Sequence, residues 1–207
     1  MVMFHGGGTS YRGAEPSARL LGERYHVVLV AYDGFNPSEP ETTFVSPMDE
    51  ARRLGDYIVE RYGGKIDILY GISYGCRILM EVLADKRLTI TAAIADGMSL
   101  NDYPNIKSTW GKNLYGRATW QSWKNQDYAL IGKKTDYSLF ARTHMFLWYG
   151  IKGSVDKKLS ANLGKLKAQG YPFEEKIFTD LGHGGLAGEQ PRRFMEEVTL
   201  AYQKATT

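Results

Sequence analysis

An α/β architecture, a mostly parallel sheet of about six strands with helices on both faces, is the fold class that this 207-residue sequence predicts. Two observations carry it. Short β-branched or apolar runs alternate with segments whose apolar residues recur every three or four positions, and strands separated by helices pair in parallel through right-handed crossovers. The chemically distinctive residues, Gly6 to Gly8, Asp33, Ser73, Asp96, residues 150–156 and His183, each follow a strand directly, so they gather at the carboxyl edge of the sheet.

The elements follow in order. The apolar start at Met1 to Phe4 runs into His5-Gly6-Gly7-Gly8-Thr9-Ser10, a turn by its glycines. Pro16 opens a helical pattern carried by Ala18, Leu21 and Tyr25, and Val27 to Ala31 is a continuous apolar run, as expected of a strand covered on both faces, ending at Asp33-Gly34. Ser46-Pro47-Met48-Asp49 combines a hydroxyl cap, proline at the first helical position and a carboxylate three residues after the cap. Met48, Ala51, Leu54, Ile58 and Tyr62 then share one face, and Gly63-Gly64 stops the helix.

Ile66 to Tyr70 is the next strand, and a helix from about Tyr74 to Ala84 is apolar nearly all round, hence buried. Ile90 to Ala95 is a strand ending at Asp96-Gly97. Residues 101–142 break the rhythm with many tyrosines and tryptophans, among them Trp110, Trp120 and Trp123, and are expected to form a small helical lid inserted between the core segments 1–100 and 143–207 of a single domain. Met145 to Tyr149, a helix from about Val155 to Gln169, Glu175 to Phe178 and a final helix after Pro191 restore the alternation.

Composition narrows the class. With 43% hydrophobic and 24% charged residues the chain reads as an ordinary globular protein. Its 26 basic and 23 acidic residues are interspersed, so no polybasic block offers a site for nucleic acid. The basic cluster from Lys152 to Lys167 alternates with apolar residues and reads as the solvated face of a helix. A single cysteine, Cys76, excludes an internal disulfide and fits core packing. Four scattered histidines give no metal-ligand spacing. The start of the sequence shows no charged leader, and no run approaches a membrane span, so the expectation is a cytoplasmic protein with no membrane partner.

Gly71-Ile72-Ser73-Tyr74-Gly75 brackets one hydroxyl between two glycines at a strand-to-helix junction. A backbone turned that sharply needs glycine on either side, and it presents Ser73 at a helix amino terminus, whose amides favour developing negative charge. Two donors for such a charge are foreseeable: the amide of Tyr74, and the turn at Gly6 and Gly7, where a substrate oxygen can approach bare main chain. Gly6 to Gly8 lacks the lysine of a phosphate-binding loop. Leu181-Gly182-His183-Gly184-Gly185 places a histidine in a loop after the last strand, poorly sited for core packing and well sited as a general base. His26 and His144 lie near strand starts, on the opposite edge, and His5 shapes its own loop.

HGGG at His5 to Gly8, GISYG at Gly71 to Gly75 and GHGG at Gly182 to Gly185, in that order through a βα alternation, resemble the α/β-hydrolase superfamily, and small bacterial esterase-like members in particular. The resemblance covers nearly the whole chain. It implies a nucleophile elbow at Ser73, a base at His183, an oxyanion hole from Gly6, Gly7 and Tyr74, no cofactor, no metal, and ester or related acyl substrates. It further implies that the chain begins at what is the third strand of larger members, so that the sheet lacks the first two.

The acid of a Ser-His-Asp triad is displaced from the family's pattern. It commonly stands about three residues past the glycine ending the penultimate strand; that glycine is Gly150, and the position holds Gly153. Asp156, three residues further, is the first choice, Asp96 the alternative acid, and Asp180 a third candidate expected to stay with its own strand end. Each has a purely structural reading as well: Asp156 as a helix cap, Asp96 as the fixer of the turn at Gly97. The expected activity is that of a carboxylesterase acting on small to medium esters through an acyl-enzyme. A thioesterase or amidase of the same fold, or a noncatalytic small-molecule-binding relative, are the alternatives. The aromatic residues of the lid line the pocket, pack against one another, or form the contact of a homodimer.

Overall fold

Sheet strands β1 (Val2–Phe4), β2 (Val28–Val30), β3 (Lys65–Ile72), β4 (Thr89–Asp96), β5 (His144–Gly150) and β6 (Glu174–Phe178) alternate with helices α1 (Glu15–Leu21), α2 (Pro47–Tyr62), α3 (Gly75–Ala84), α4 (Lys157–Ala168), α5 (Gly185–Glu189) and α6 (Pro191–Thr206). The structure is a computed structural model. It describes residues 1–7, 9–35, 42, 44–100, 135–152 and 157–207, without the side chains of 157 and 158. All six strands pair in parallel. Their order is β2-β1-β3-β4-β5-β6, so the sheet is wholly parallel, a stricter form of the mostly parallel sheet the sequence predicts.

The order matters for function. The chain steps from β1 outward to β2 and then returns across β1 to β3, so the direction of winding reverses between β1 and β3. In open parallel sheets the crevice at such a reversal, beyond the carboxyl ends of the strands, is where ligands bind. The Gly6-Gly7 turn leaves β1 and the Ser73 turn leaves β3, one on each side of it.

Near-continuous apolar strands are explained by a core on each face. Alternate residues such as Leu69, Ala93 and Leu147 face α2, α3 and α4 through Leu54, Ile58, Leu79 and Leu163. Their neighbours Ile68, Ile94 and Phe146 face α1, α5 and α6 through Leu21, Leu186, Phe194 and Val198. Helix α3 is buried along most of its length, as its all-round apolar sequence requires. The β2 run departs from its expectation: Val28, Leu29 and Val30 are only half-buried, because β2 is the edge strand and has a neighbour on one side alone.

The segment expected as a lid falls largely on residues 101–134, outside the described residues. Its described tail, including a 3-10 turn at Tyr137–Arg142, packs onto the α3 side of the core, with Phe140 fully buried and the Tyr137 hydroxyl donating to Leu100 O at 3.0 Å.

Helix α2 begins as the sequence dictates. Ser46 Oγ accepts the Asp49 amide at 3.1 Å, Pro47 occupies the first turn, and Gly63 ends the helix in the left-handed region at φ 61°. Ser46→Ala leaves that amide without its cap, and urea denaturation is expected to show a loss of about 1 kcal/mol with the slope of the transition unchanged.

Candidate active site

Ser73 has φ 51°, which makes it the one non-glycine residue with positive φ among the described residues. The flanking glycines are explained by contact. A side chain on Gly75 would put its first carbon 2.7 Å from His5 O and 2.8 Å from Phe4 Cβ, and one on Gly71 would stand 2.9 Å from the Gly75 carbonyl. No larger residue fits where α3 leaves β3 beside β1. The Ser73 amide donates to Asp96 O at 2.7 Å, which ties the turn to the end of β4, and the Ser73 carbonyl accepts the Cys76 amide at 3.1 Å. The Cys76 thiol is buried below, donating to Gly71 O at 3.1 Å, and burial pushes its pKa up, so it remains a packing group.

Gly6 lies beside this turn, its missing side chain pointing to within 3.7 Å of Ser73 Cβ. Tyr74, next after the serine, is buried with its ring edge-on to Phe44 at 5.8 Å. Gly7 is half-buried in the turn after β1, and Gly8 lies outside the described residues.

Main-chain contacts bring the histidine loop to the same edge. A side chain on Gly150 would collide with Gly182 O, and Lys152 N–H donates to Leu181 O at 2.7 Å, so the end of β5 and the loop after β6 are in direct backbone contact. Gly184, at φ 64°, packs bare against Ile72, the residue before Ser73. The His183 ring lies over Gly97, which has φ 69° and whose Cβ, were there one, would sit 2.6 Å from His183 Cε1. Ser73 and His183 therefore border the same strand end, the first through Asp96 O and the second through Gly97. The imidazole keeps access to solvent, while the protein packed on its inner face holds its pKa below the ordinary histidine value. That shift favours the neutral imidazole.

The three candidate acids separate. Asp156 lies outside the described residues. Asp96 is buried, and its carboxylate accepts the Tyr70 hydroxyl at 2.8 Å. Burial raises its pKa to about 6 against the lowering pull of that hydrogen bond. Asp180 is exposed and ion-paired with Arg193 at 2.5 Å, which lowers its pKa. No hydrogen bond links Asp96 or Asp180 to His183 among the described residues. His26 meets the Tyr62 hydroxyl at 2.8 Å and His144 meets Glu174 at 2.8 Å, both away from this edge. Among the described residues no group of three His, Cys, Asp or Glu side chains is placed to hold a metal ion, and no helix is long and apolar enough to cross a membrane.

Two features were not found by sequence reasoning. The seat of His183 on Gly97 was signalled only by a glycine after a strand. The Tyr70 partner of Asp96 was signalled by nothing but a tyrosine in a strand that otherwise reads as core.

The model of the alpha/beta hydrolase family matches residues 1–197, and the chain belongs to that family. No protein of curated function matches the sequence significantly. Among solved structures, a thermophilic esterase from Thermogutta terrifontis superposes with a TM-score of 0.72 at 14% identity, covering 100% of this chain and 90% of that one. MenH from S. aureus gives 0.72 at 12% identity, covering 100% and 94%. An esterase from Rhodococcus sp. ECU1013 gives 0.66 at 18% identity, covering 99% and 90%. At these identities the likeness is one of fold.

The Asp96 titration gives a test of its environment. Its folded pKa, about 6, lies above the ordinary 3.8, so the group's contribution to stability is fully present below about pH 3.8 and is lost as pH rises through 6. Asp96→Asn, which still offers an oxygen to Tyr70, is expected to be more stable than the native protein at pH 8 by about 1–3 kcal/mol, an advantage that fades toward pH 4 in parallel urea titrations.

Proposed function

We propose that the protein is a serine-dependent carboxylic ester hydrolase acting on small to medium esters through an acyl-enzyme. The observation that supports this most is the left-handed Ser73 at the mouth of α3, with the His183 ring seated on Gly97 beside the same strand end. A strained serine at a helix amino terminus, with an imidazole of lowered pKa at the same strand end, supports this reading of acyl transfer.

In this reading Ser73 Oγ attacks the carbonyl carbon while His183 takes its proton. The carbonyl π pair moves onto oxygen, and the resulting oxyanion is received by the amides of Tyr74 and of the Gly6-Gly7 turn. Collapse of the tetrahedral intermediate expels the alcohol, which leaves with the proton from His183. Water then attacks the acyl-enzyme with His183 again as base, and the acid is released as Ser73 recovers its proton. Asp156 is the carboxylate proposed to orient the imidazole. Asp96 is committed to Tyr70, which favours Asp156 over it.

Thioesters and amides would use the same machinery, and a noncatalytic relative would keep the pocket without the chemistry. A fluorophosphonate probe followed by adduct mapping separates enzyme from binding module: label on Ser73 is expected, and none after Ser73→Ala. An unlabelled wild-type protein would sink the reading. With p-nitrophenyl esters, Ser73→Ala should lower kcat by at least about 10⁴-fold and Asp156→Asn by about the same, whereas Asp96→Asn should stay within about tenfold of the native rate. The acid limb of the kcat/KM profile should fall at a pH below the ordinary histidine value, as the depressed His183 pKa requires.

A further inference from the structure

We infer that His5 and Tyr32 are positioning residues, whose side chains pin the peptide planes on either side of Gly6 and so set the directions of the Gly6 and Gly7 amides beside the Ser73 turn. The inference rests on the catalytic reading above for its consequence, but its geometry stands apart. Tyr32 hydroxyl donates to the His5 carbonyl at 2.9 Å. His5 Nδ1 lies 2.9 Å from the Gly6 carbonyl, and since a carbonyl only accepts, Nδ1 carries the proton. Thr9 Oγ1 donates to that same carbonyl at 2.8 Å.

In a trans peptide the C=O of one residue and the N–H of the next point in opposite directions within one rigid plane, and the described chain has no cis bond. Fixing the His5 carbonyl therefore fixes the Gly6 amide, and fixing the Gly6 carbonyl fixes the Gly7 amide. A run of glycines is the segment in which such planes would otherwise rotate most freely. A donor for an oxyanion is effective only if its direction is set beforehand.

The side chains that do this are themselves immobile. Tyr32 is fully buried, His5 is 1% exposed, and their rings stack at 3.9 Å with 25° between planes. Phe35 and Phe44 close on the Tyr32 ring at 5.8 and 6.3 Å. Burial lowers the His5 pKa to about 4, so the ring stays neutral through the working range. His5 Nε2 is buried with no hydrogen-bond partner among the described residues. A phenyl ring would fill this aromatic cluster without leaving a bare nitrogen there. Packing alone thus gives no reason for an imidazole; the Nδ1 contact does.

The test uses the full chain and three variants. Tyr32→Phe removes one hydroxyl, His5→Phe keeps the stacked ring without its donor, and His5→Asn restores an N–H near the position of Nδ1. Backbone ¹⁵N order parameters of Gly6 and Gly7 should fall in the first two and recover in His5→Asn, while the melting transition stays cooperative. In step, kcat on a p-nitrophenyl ester should drop about tenfold with KM within about twofold, and affinity for a tetrahedral adduct-forming trifluoromethyl ketone should weaken by the same factor as kcat/KM. Native order parameters in both Tyr32→Phe and His5→Phe would overturn the inference. If the wild-type protein neither labels at Ser73 nor turns over ester, the catalytic reading fails by itself, and the glycine order parameters still decide whether the planes are pinned.

Discussion

Everything at the carboxyl edge of this sheet depends on Ser73 holding a backbone conformation that its side chain disfavours. A left-handed non-glycine residue costs on the order of 1–2 kcal/mol, and the surroundings must over-determine it. They do so with main chain. The Ser73 amide is bonded to the end of β4, its carbonyl to the first turn of α3, and the glycines at 71 and 75 allow β1, β3 and α3 to approach until atoms touch. The strain is concentrated at one residue of the turn that joins β3 to α3.

The same principle, bare backbone in contact with bare backbone, recurs around the site. Gly150 meets Gly182, Gly184 meets Ile72, and Gly97 carries the His183 ring on the face where a side chain would be. Because peptide groups do not change rotamer, a site framed this way is stiffer than one framed by side chains. Its electrostatics follow from partial enclosure. His5 is kept neutral by burial, the protein packed on one side of the solvent-accessible His183 ring lowers its pKa, and Asp96, deep below them, has its pKa raised by burial.

Much of this was legible because glycine patterns report backbone demands directly. GISYG and GHGG mark where the chain must turn or touch, and the βα alternation orders those turns along one edge. The β2 run read as fully covered because apolar composition does not reveal whether a strand is central or at an edge; only the order β2-β1-β3 does. The destination of the Asp96 carboxylate was equally hidden. In the β3/β4 register Tyr70 is opposite Ile94 and Ile72 opposite Asp96, which places Tyr70 and Asp96 on one face as a diagonal pair. Without the register an aspartate at a strand end is as plausible a triad member as a structural acid. The family of the chain was readable from three short motifs, whereas an acid for His183 was not, since the family's spacing points to Gly153 and the first-choice Asp156 stands three residues beyond it.

The central place of β1 has a consequence for how the molecule is made. Its three residues pair with Val28–Val30 on one side and with Leu69–Gly71 on the other, so the strand is sealed only when chain far beyond it in sequence has been brought back to it. Non-local parallel pairing of this kind closes late and slowly. Until it closes, the glycine turn after β1 has no serine elbow to rest against. The turn at Ser73 thus acquires its geometry only with the pairing of β1 and β3, as a property of the closed sheet and not of any local segment.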